Sequence, residues 1–483
     1  MSSASSPDHY DFISLGSGEG GKFTAWTLAR DQGKRCAVIE RQWVGGSCPN
    51  VACLPSKNYV RSGKVAHELS LGASYGLGAY TAAAAGQVRA SMAEVKARKT
   101  TMVQGMVDLH MNMFRDTGVE LIRGTGRFVG PKKIQIDGGR VVTADSIVIC
   151  TGSTSKVDGG VPGLVEAQPL THVGILDLDH LPLHLLVLGG GYIGLEFAQT
   201  FRRLGSDVTL VEHNAQIIKR EDPDVAEALA GVLAAEGVKI LTSASVIRVT
   251  GRSGDSVTVT VDQQGKRHTI TASHMLVATG RTPNTADIGL ETAGVELAGG
   301  GGAGHVKVDA QLRTTADGVF AVGDCAGSPH FTHMGFDDFR VVHDQLSNVV
   351  EARRRAGGVA GRQVPSTLFT SPELAQVGLR EREARERGVA VRVARLPMAA
   401  FLRARTLGGG AAAVGFAKVL VEADGDGILG FAALGPSAGE MLPVVQLAMR
   451  LGAPYTEIAN LIVVHPTMCE GLVQLFASVP ARK

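Results

Sequence analysis

The sequence predicts an α/β protein with two Rossmann-like dinucleotide-binding domains and a separate C-terminal α+β domain. Two glycine turns of one pattern, each set between a strand and a helix, carry the first part of that expectation. A change of character from about Pro365, where strands begin to alternate with helical pieces, carries the second. Composition agrees: 62 glycines in 483 residues, 44% hydrophobic residues and only 5% aromatics suit many strand-to-helix turns. A chain of this length divides into several domains instead of burying one core.

The first unit is "DFISLGSGEGGKFTAWTLARDQGKRCAVIE", a strand, a glycine turn, a helix and a second strand. Its glycines fit G-x-G-x-x-G as Gly16, Gly18 and Gly21, and Glu40 ends the second strand about twenty residues on, where a carboxylate accepts from a ribose hydroxyl. The helix N-terminus behind the turn favours a pyrophosphate. The second unit, "LLVLGGGYIGLEFAQTFRRLGSDVTLVEH", repeats the pattern with Gly189, Gly191, Gly194 and Glu212. Between them lie a helical stretch from about Ser91 to Thr117 and the strand-rich "VELIRGTGRFVGPKKIQIDGGRVVTADSIVICTGS". "MLVATGRTPN" and "GVFAVGDCAG" read as strands ending in glycine turns, and the glycine runs near 300 and 410 read as loops. The expected domains are 1–152, 153–280, 281–361 and 362–483.

A formal charge of +2 with no Lys/Arg block gives nucleic-acid binding no support. No stretch reaches about 18 uninterrupted apolar residues, and the first residues lack the pattern of a signal peptide, so a cytoplasmic location is expected and no membrane partner. In that reducing compartment structural disulfides are rare.

Against that background "GGSCPNVACLPSK", Gly45 to Lys57, places two of the six cysteines five residues apart. A zinc clip needs about four ligands. Cys36, Cys150, Cys325 and Cys469 are isolated in sequence, and no histidine cluster joins Cys48 and Cys53, so no metal is expected. A structural staple conflicts with the compartment. A redox pair accounts for more of the stretch, because the segment from Pro49 reads as a helix start, and thiols there ionise more readily. On a regular helix, residues five apart are separated by roughly 7.5 Å along the axis, whereas a disulfide wants Cα atoms within about 6.8 Å. Bridging the two requires a distorted first turn, and strained disulfides are the easily reduced kind.

The same stretch resembles the G-G-T-C-x-N-x-G-C-x-P-[ST]-K site of the class I flavin-dependent pyridine nucleotide–disulfide oxidoreductases, the family of dihydrolipoamide dehydrogenase, glutathione reductase and mercuric reductase. Both glycine fingerprints, "ATGRTPN", "FAVGDC", "FTSPELAQVG" and "HPTMCEG" extend the resemblance over nearly the whole chain. It implies an FAD-dependent NAD(P)H:disulfide oxidoreductase whose C-terminal domain pairs two subunits in a homodimer. Gly16, Gly18, Gly21, Glu40, Gly46, Ser47, Lys57, Thr151, Gly152, Gly323 and Asp324 would then serve FAD, Asp324 on its ribityl chain. Gly189, Gly191, Tyr192, Gly194, Glu212 and Gly280 would serve the nicotinamide cofactor. Glu212 favours NADH, since a carboxylate repels a 2′-phosphate, while His213 and Arg220 keep NADPH open. Electrons would pass to a Cys48–Cys53 disulfide, Cys53 being the inner thiol beside the flavin and Cys48 the outer, attacking one. Lys57 and Glu196 match the family's ion pair beside the flavin, and Tyr192 the aromatic lid of the nicotinamide pocket. His465 with Glu470 matches the proton-donating dyad that reaches into the second subunit's site; "TMCE" is also a capping box, which leaves Glu470 two readings.

Departures from the family pattern point to the mercuric-reductase-like subgroup, which includes enzymes implicated in copper(II) reduction and in defence against reactive chlorine species. The end "FASVPARK" carries no cysteine pair, an N-terminal metal-binding domain is absent, Ala52 replaces the usual glycine, and "FTHMGFDDFRVV" is unlike the lipoamide enzymes there. Cys469 stands where Ser or Thr is commoner and reads as a packing residue; Cys150 and Cys325 read as buried strand-end residues. The substrate expected is a small disulfide or thiol-reactive oxidant. The alternatives are a Cu(II), Hg(II) or quinone reductase and, less favoured, a non-catalytic flavin-bound redox sensor.

Overall fold

The computed structural model describes residues 8–78, 90–299, 304–347, 357–408 and 413–482. The glycine runs expected as loops near 300 and 410 lie partly outside these residues. The chain forms two compact units: Met1–Ser56, Ala97–Lys156 and Gly280–Arg362 make the first, and Lys57–Lys96, Val157–Thr279 and Gln363–Lys483 the second.

In the first unit, β1 (Asp8–Leu15), α1 (Glu19–Gln32) and β2 (Cys36–Glu40) form the expected strand–turn–helix–strand. Helix α2 (Ser47–Val51) follows, then α3 (Cys53–Ser70), which passes into the second unit from Lys57, α4 (Met92–Thr117), which returns to the first from Ala97, and β3 (Glu120–Arg123), β4 (Gly126–Gly130), β5 (Lys133–Ile136) and β6 (Val141–Ile149). The sheet runs β3-β2-β1-β6-β5-β4, with the strand Val319–Ala321 also on β6. Strands β3, β2, β1 and β6 are mutually parallel, and helices on both sides explain why every residue of β2 is buried. Alternation along a strand splits the core: Ile13, Leu15, Ala37 and Ile39 face one side, while Phe12, Cys36 and Val38 pack with Trp26 and Leu28 of α1 on the other. Each fully buried large apolar side chain contributes roughly 1.5–3 kcal/mol. Helix α1 ends where Gly33, at φ 64°, donates its N–H to the Ala29 and Leu28 carbonyls.

In the second unit, β7 (His184–Leu188), α5 (Tyr192–Leu204) and β8 (Asp207–Val211) repeat the arrangement. Strands Val238–Leu241 and His274–Val277 flank them in a four-stranded parallel sheet. The C-terminal part is a five-stranded antiparallel sheet from Ser366 to Gly435. Met441, Leu442 and Val445 of the helix Ala438–Leu451 and Leu472, Leu475 and Phe476 of the helix Glu470–Ala477 join its core. Ahead of that last helix, Leu461, Ile462 and Val464 are 49%, 99% and 75% exposed, and an apolar groove lined by Leu461, Ile462, Cys469 and Leu472 lies beside them. No helix among the described residues is long and apolar enough to cross a membrane.

A buried cation ties the nucleotide-fold part of this unit to its C-terminal sheet. Lys418, 1% exposed, donates to Asp222 at 2.7 Å, to Asp224 at 3.1 Å and to Glu381 at 3.3 Å. Burial opposes the Asp222 carboxylate, but the Lys418 bond and the N–H groups of Arg382 and Glu381 outweigh it and hold the group below its ordinary value. A depressed carboxylate stabilises above its unfolded value and loses that contribution as pH falls through the folded one. Lys418→Met leaves Asp222 buried and unpaired, and should cost about 3–5 kcal/mol at neutral pH. Thermal unfolding of the variant measures it, and the deficit should shrink under acid conditions.

Candidate active site

The site is built at the carboxyl ends of parallel strands, where α/β sheets bind their ligands. Gly16 leaves β1 at φ 104°, and a Cβ there would stand 2.3 Å from the Cys150 carbonyl oxygen. Gly189 leaves β7 at φ 108°, with the Ala278 carbonyl oxygen 2.5 Å from the same position. Two independent turns thus solve one problem in one way: the chain doubles back over a neighbouring strand end, and only glycine fits. Behind them, the first N–H groups of α1 and α5 are free of side-chain caps.

Glu40 and Glu212 hold these turns in place. The Glu40 carboxylate accepts from the Ser17 N–H at 2.9 Å and the Ser17 hydroxyl at 2.6 Å, and from the Gln42 and Trp43 N–H groups at 2.7 and 3.0 Å. Glu212 accepts from the Gly190 N–H at 2.6 Å and the Asn214 N–H at 2.7 Å. Ser17 reaches further. Its hydroxyl oxygen accepts the N–H groups of Gly45 and Gly46 at 3.0 and 3.1 Å. Gly46, at φ 84°, approaches so closely that a Cβ would lie 2.8 Å from the Gly18 Cα. The cysteine loop therefore packs directly on the first glycine turn.

Beyond that loop the helix is broken. Ala52 sits at φ −127°, ψ −104° between α2 and α3, so Cys48 and Cys53 lie on two short-range segments and not on one regular helix. This is the distorted turn that bridging five residues requires. Both cysteines are half-buried thiols here, not joined in a disulfide. The Cys48 thiol is held well above its usual range, first by its hydrogen bond to Cys53, then by burial, then by the Cys53 charge. A helix start was expected to lower it; the neighbouring sulfur and burial outweigh that here, and the two thiols titrate as a pair. The Thr332 hydroxyl, opening the helix Thr332–Leu346, lies 3.0 Å from the Cys53 sulfur. Asn50 braces the loop by donating to the Val44 and Gly46 carbonyls at 2.9 and 2.8 Å.

Further polar groups of the first unit gather nearby. Ser153 donates to Asp324, and Arg281 donates to the Ser153 hydroxyl at 2.7 Å and carbonyl at 2.6 Å. Asn284 ties down the Thr151–Gly152 turn, donating its side-chain amide to the Thr151 carbonyl at 2.9 Å and its N–H to the Gly152 carbonyl at 2.9 Å. A Cβ on Gly152 or on Gly323 would meet no protein atom within 4 Å, so these turns border open space next to the glycine cradle. Cys325 is buried, as expected; Cys150 is half-buried against the Gly18 turn.

In the second unit Lys57 donates to both Glu196 oxygens, at 2.7 and 3.0 Å, and Glu196 also accepts the Phe369 N–H at 3.0 Å. Glu196 is 4% exposed, so this is no weak surface pair. The Lys57 ammonium sits 4.9 Å from the Phe369 ring centroid. Tyr192 donates to Ser366 at 3.1 Å, and burial pushes its phenol up to about 12. A Cβ on Gly191 or on Gly280 would meet nothing within 4 Å. His465 Nδ1 bonds Glu470 at 2.9 Å, while Thr467 accepts the Glu470 N–H at 3.2 Å. Thr467 thus caps the helix, leaving the Glu470 carboxylate to His465. Cys469 lines the apolar groove.

Residue patterns did not reveal Ser17, Asn50, Arg281, Asn284, Thr332 or Phe369. Arg281 and Asn284 stand within "GRTPN", and Thr332 within the atypical "FTHMGFDDFRVV", so an unusual local string was the only signal.

Two dinucleotide folds and a dithiol at a broken helix start define a redox enzyme that couples nucleotide cofactors to sulfur chemistry. Residues 10–354 match the pyridine nucleotide-disulphide oxidoreductase model, and residues 364–476 its dimerisation domain. The chain is 35% identical over 468 residues to dihydrolipoyl dehydrogenase of Thermus scotoductus, covering 96% of each. It is 33% identical over 468 residues to mercuric reductase of Bacillus cereus, covering 96% of this chain and 70% of that one. The Cu(II) complex of the HOCl-induced flavoprotein disulfide reductase RclA from Escherichia coli superposes with a TM-score of 0.84 at 30% identity, covering 97% of this chain and 100% of that one. The chain belongs to the pyridine nucleotide–disulfide oxidoreductase family and is an FAD-dependent enzyme of it.

Proposed function

We propose that this enzyme uses NADH to reduce a small disulfide or thiol-reactive oxidant at Cys48, with Cys53 as the inner, cofactor-side thiol. The observation that carries the reading is the cysteine pair packed on the first glycine turn, with the Thr332 hydroxyl at the Cys53 sulfur. The open space at Gly152 and Gly323 fits FAD, held by the Gly16–Gly21 turn at the start of α1, Glu40, Gly46, Ser47, Thr151 and Asp324. When bound, FAD supplies two-electron transfer between a nicotinamide and the cysteine pair. Gly189, Gly191, Gly194, Tyr192, Glu212 and Gly280 would hold that nicotinamide cofactor.

The chain's own sulfurs then do the exchange. His465 takes the Cys48 proton, and the thiolate so formed attacks one sulfur of the substrate disulfide, forming a Cys48–substrate mixed disulfide and expelling the first thiolate. His465, oriented through Nδ1 by Glu470, protonates that leaving group. Cys53 attacks the Cys48 sulfur next, closing the intramolecular disulfide and releasing the second thiolate. In the homodimer this reading requires, the dyad reaches the second subunit's site, and the exposed Leu461–Val464 stretch is covered there. The reaction belongs to the cytoplasm, where pyridine nucleotide is supplied.

A second reading, Cu(II) reduction at the same thiols, is favoured by the likeness to the RclA copper complex. In that reading copper is met as substrate at the cysteine pair.

Cys48→Ser should abolish NADH-dependent disulfide turnover while flavin-only reduction of a quinone persists; disulfide turnover surviving the change would refute the exchange. His465→Gln should lower disulfide turnover by about 10²–10⁴-fold in kcat and spare quinone reduction. Because the Glu212 carboxylate repels a 2′-phosphate, kcat/KM measured side by side should favour NADH over NADPH.

A further inference from the structure

A fully buried lysine lies beneath the cysteine loop, and nothing in the exchange just described uses it. Lys22, 0% exposed on α1, donates to the Glu19 carboxylate at 2.8 Å and to the Gly45 carbonyl at 2.7 Å. Its ammonium also stands 5.6 Å from the Phe23 ring centroid and 6.0 Å from that of Trp26. Stripping water from an ammonium costs several kcal/mol unless its bonds are replaced. The site meets that cost with one charged and one neutral acceptor, and the neutral one belongs to the loop that carries Cys48.

Gly45 is three residues before Cys48. It is held on three sides. Ser17 accepts its N–H at 3.0 Å, Lys22 binds its carbonyl, and the His110 ring leaves no room above its Cα, since a Cβ there would stand 2.9 Å from Nδ1. His110 stacks on Trp26 at 5.7 Å, and its Nδ1–H donates to the Met106 carbonyl at 2.6 Å. Burial, then the Lys22 charge, keeps its imidazole below the usual value and so neutral at pH 7. Lys22 is therefore the cation in contact with this side of the loop.

Glu19 supplies the other half. In the first turn of α1 its carboxylate suits the helix dipole. Its charge also adds to the influences that hold the Cys48 thiol above its usual range, after the Cys53 hydrogen bond, burial and the Cys53 charge. The Thr332 hydroxyl also acts here, favouring Cys48 ionisation, and Arg281 feels the Cys53 charge. Cys150 is the other titratable group that feels Lys22.

We propose that Lys22 is a positioning residue for the outer thiol: it fixes the Gly45 carbonyl and screens the Glu19 carboxylate from Cys48, so that the Glu19–Lys22 pair sets how readily that sulfur ionises. The proposal rests on Cys48 as the attacking sulfur. Its test does not require turnover.

The reduced holoenzyme is alkylated with iodoacetamide across a pH series, and modification of Cys48 is read by peptide mass, for the parent, Glu19→Gln, Lys22→Met and the double variant. Lys22→Met should raise the midpoint for Cys48 by about one pH unit, roughly tenfold slower labelling at a fixed pH below it. Glu19→Gln should lower the midpoint, and the double variant should return towards the parent because both charges are gone. Shifts of the same sign in the two single variants, or no shift in either, overturn the proposal. Should Lys22→Met fail to fold, Glu19→Gln decides alone, and an unchanged or raised midpoint overturns it. A failed exchange mechanism shows itself separately, as disulfide turnover by Cys48→Ser.

Discussion

The Ser17 hydroxyl is the joint on which the first unit's chemistry depends. It donates to Glu40 at 2.6 Å and accepts the Gly45 and Gly46 N–H groups at 3.0 and 3.1 Å. One fully buried side chain thus binds the acid that closes the first dinucleotide fold to the loop that carries the cysteines. A buried hydroxyl with its donor and acceptors satisfied locks geometry, because any displacement leaves a polar group unpaired at about 1–3 kcal/mol. The first glycine turn and the cysteine loop are consequently held as a single rigid object.

The second unit uses a carboxylate in the same way. Glu196, buried on α5, accepts from Lys57 and from the Phe369 N–H, so it joins α3, the second glycine turn's helix and the start of the C-terminal sheet. Lys418 performs a similar service farther out, with three carboxylates around one ammonium. Both are charge-assisted bonds in dry surroundings. Such bonds specify one arrangement strongly, since breaking either partner away strands a charge.

The dithiol shows how tertiary context reverses a local rule. A cysteine near a helix start ordinarily ionises more easily. Here a second sulfur, burial and the Glu19 carboxylate all act on Cys48 in the opposite sense. The two sulfurs stand in unequal surroundings, with the Thr332 hydroxyl 3.0 Å from Cys53.

What the sequence alone determined is the part governed by short-range geometry. Gly16 and Gly189 need positive φ, Glu40 and Glu212 fall a fixed distance beyond them, and strand and helix periodicity surrounds both, so the two folds and the cysteine segment could be read directly. The break at Ala52 was also foreseeable, from the reach of a disulfide against the rise of a helix. Ser17, Asn50, Lys22, Arg281, Thr332 and Phe369 were settled only by tertiary structure. Each acts through a partner in another element: the helix residue Thr332 meets Cys53, and Lys22 meets a carbonyl in the cysteine loop. Hydrogen bonds span a few ångströms in space and any distance along a chain, and a residue's neighbours in space exist only after the strands have paired and the helices have packed.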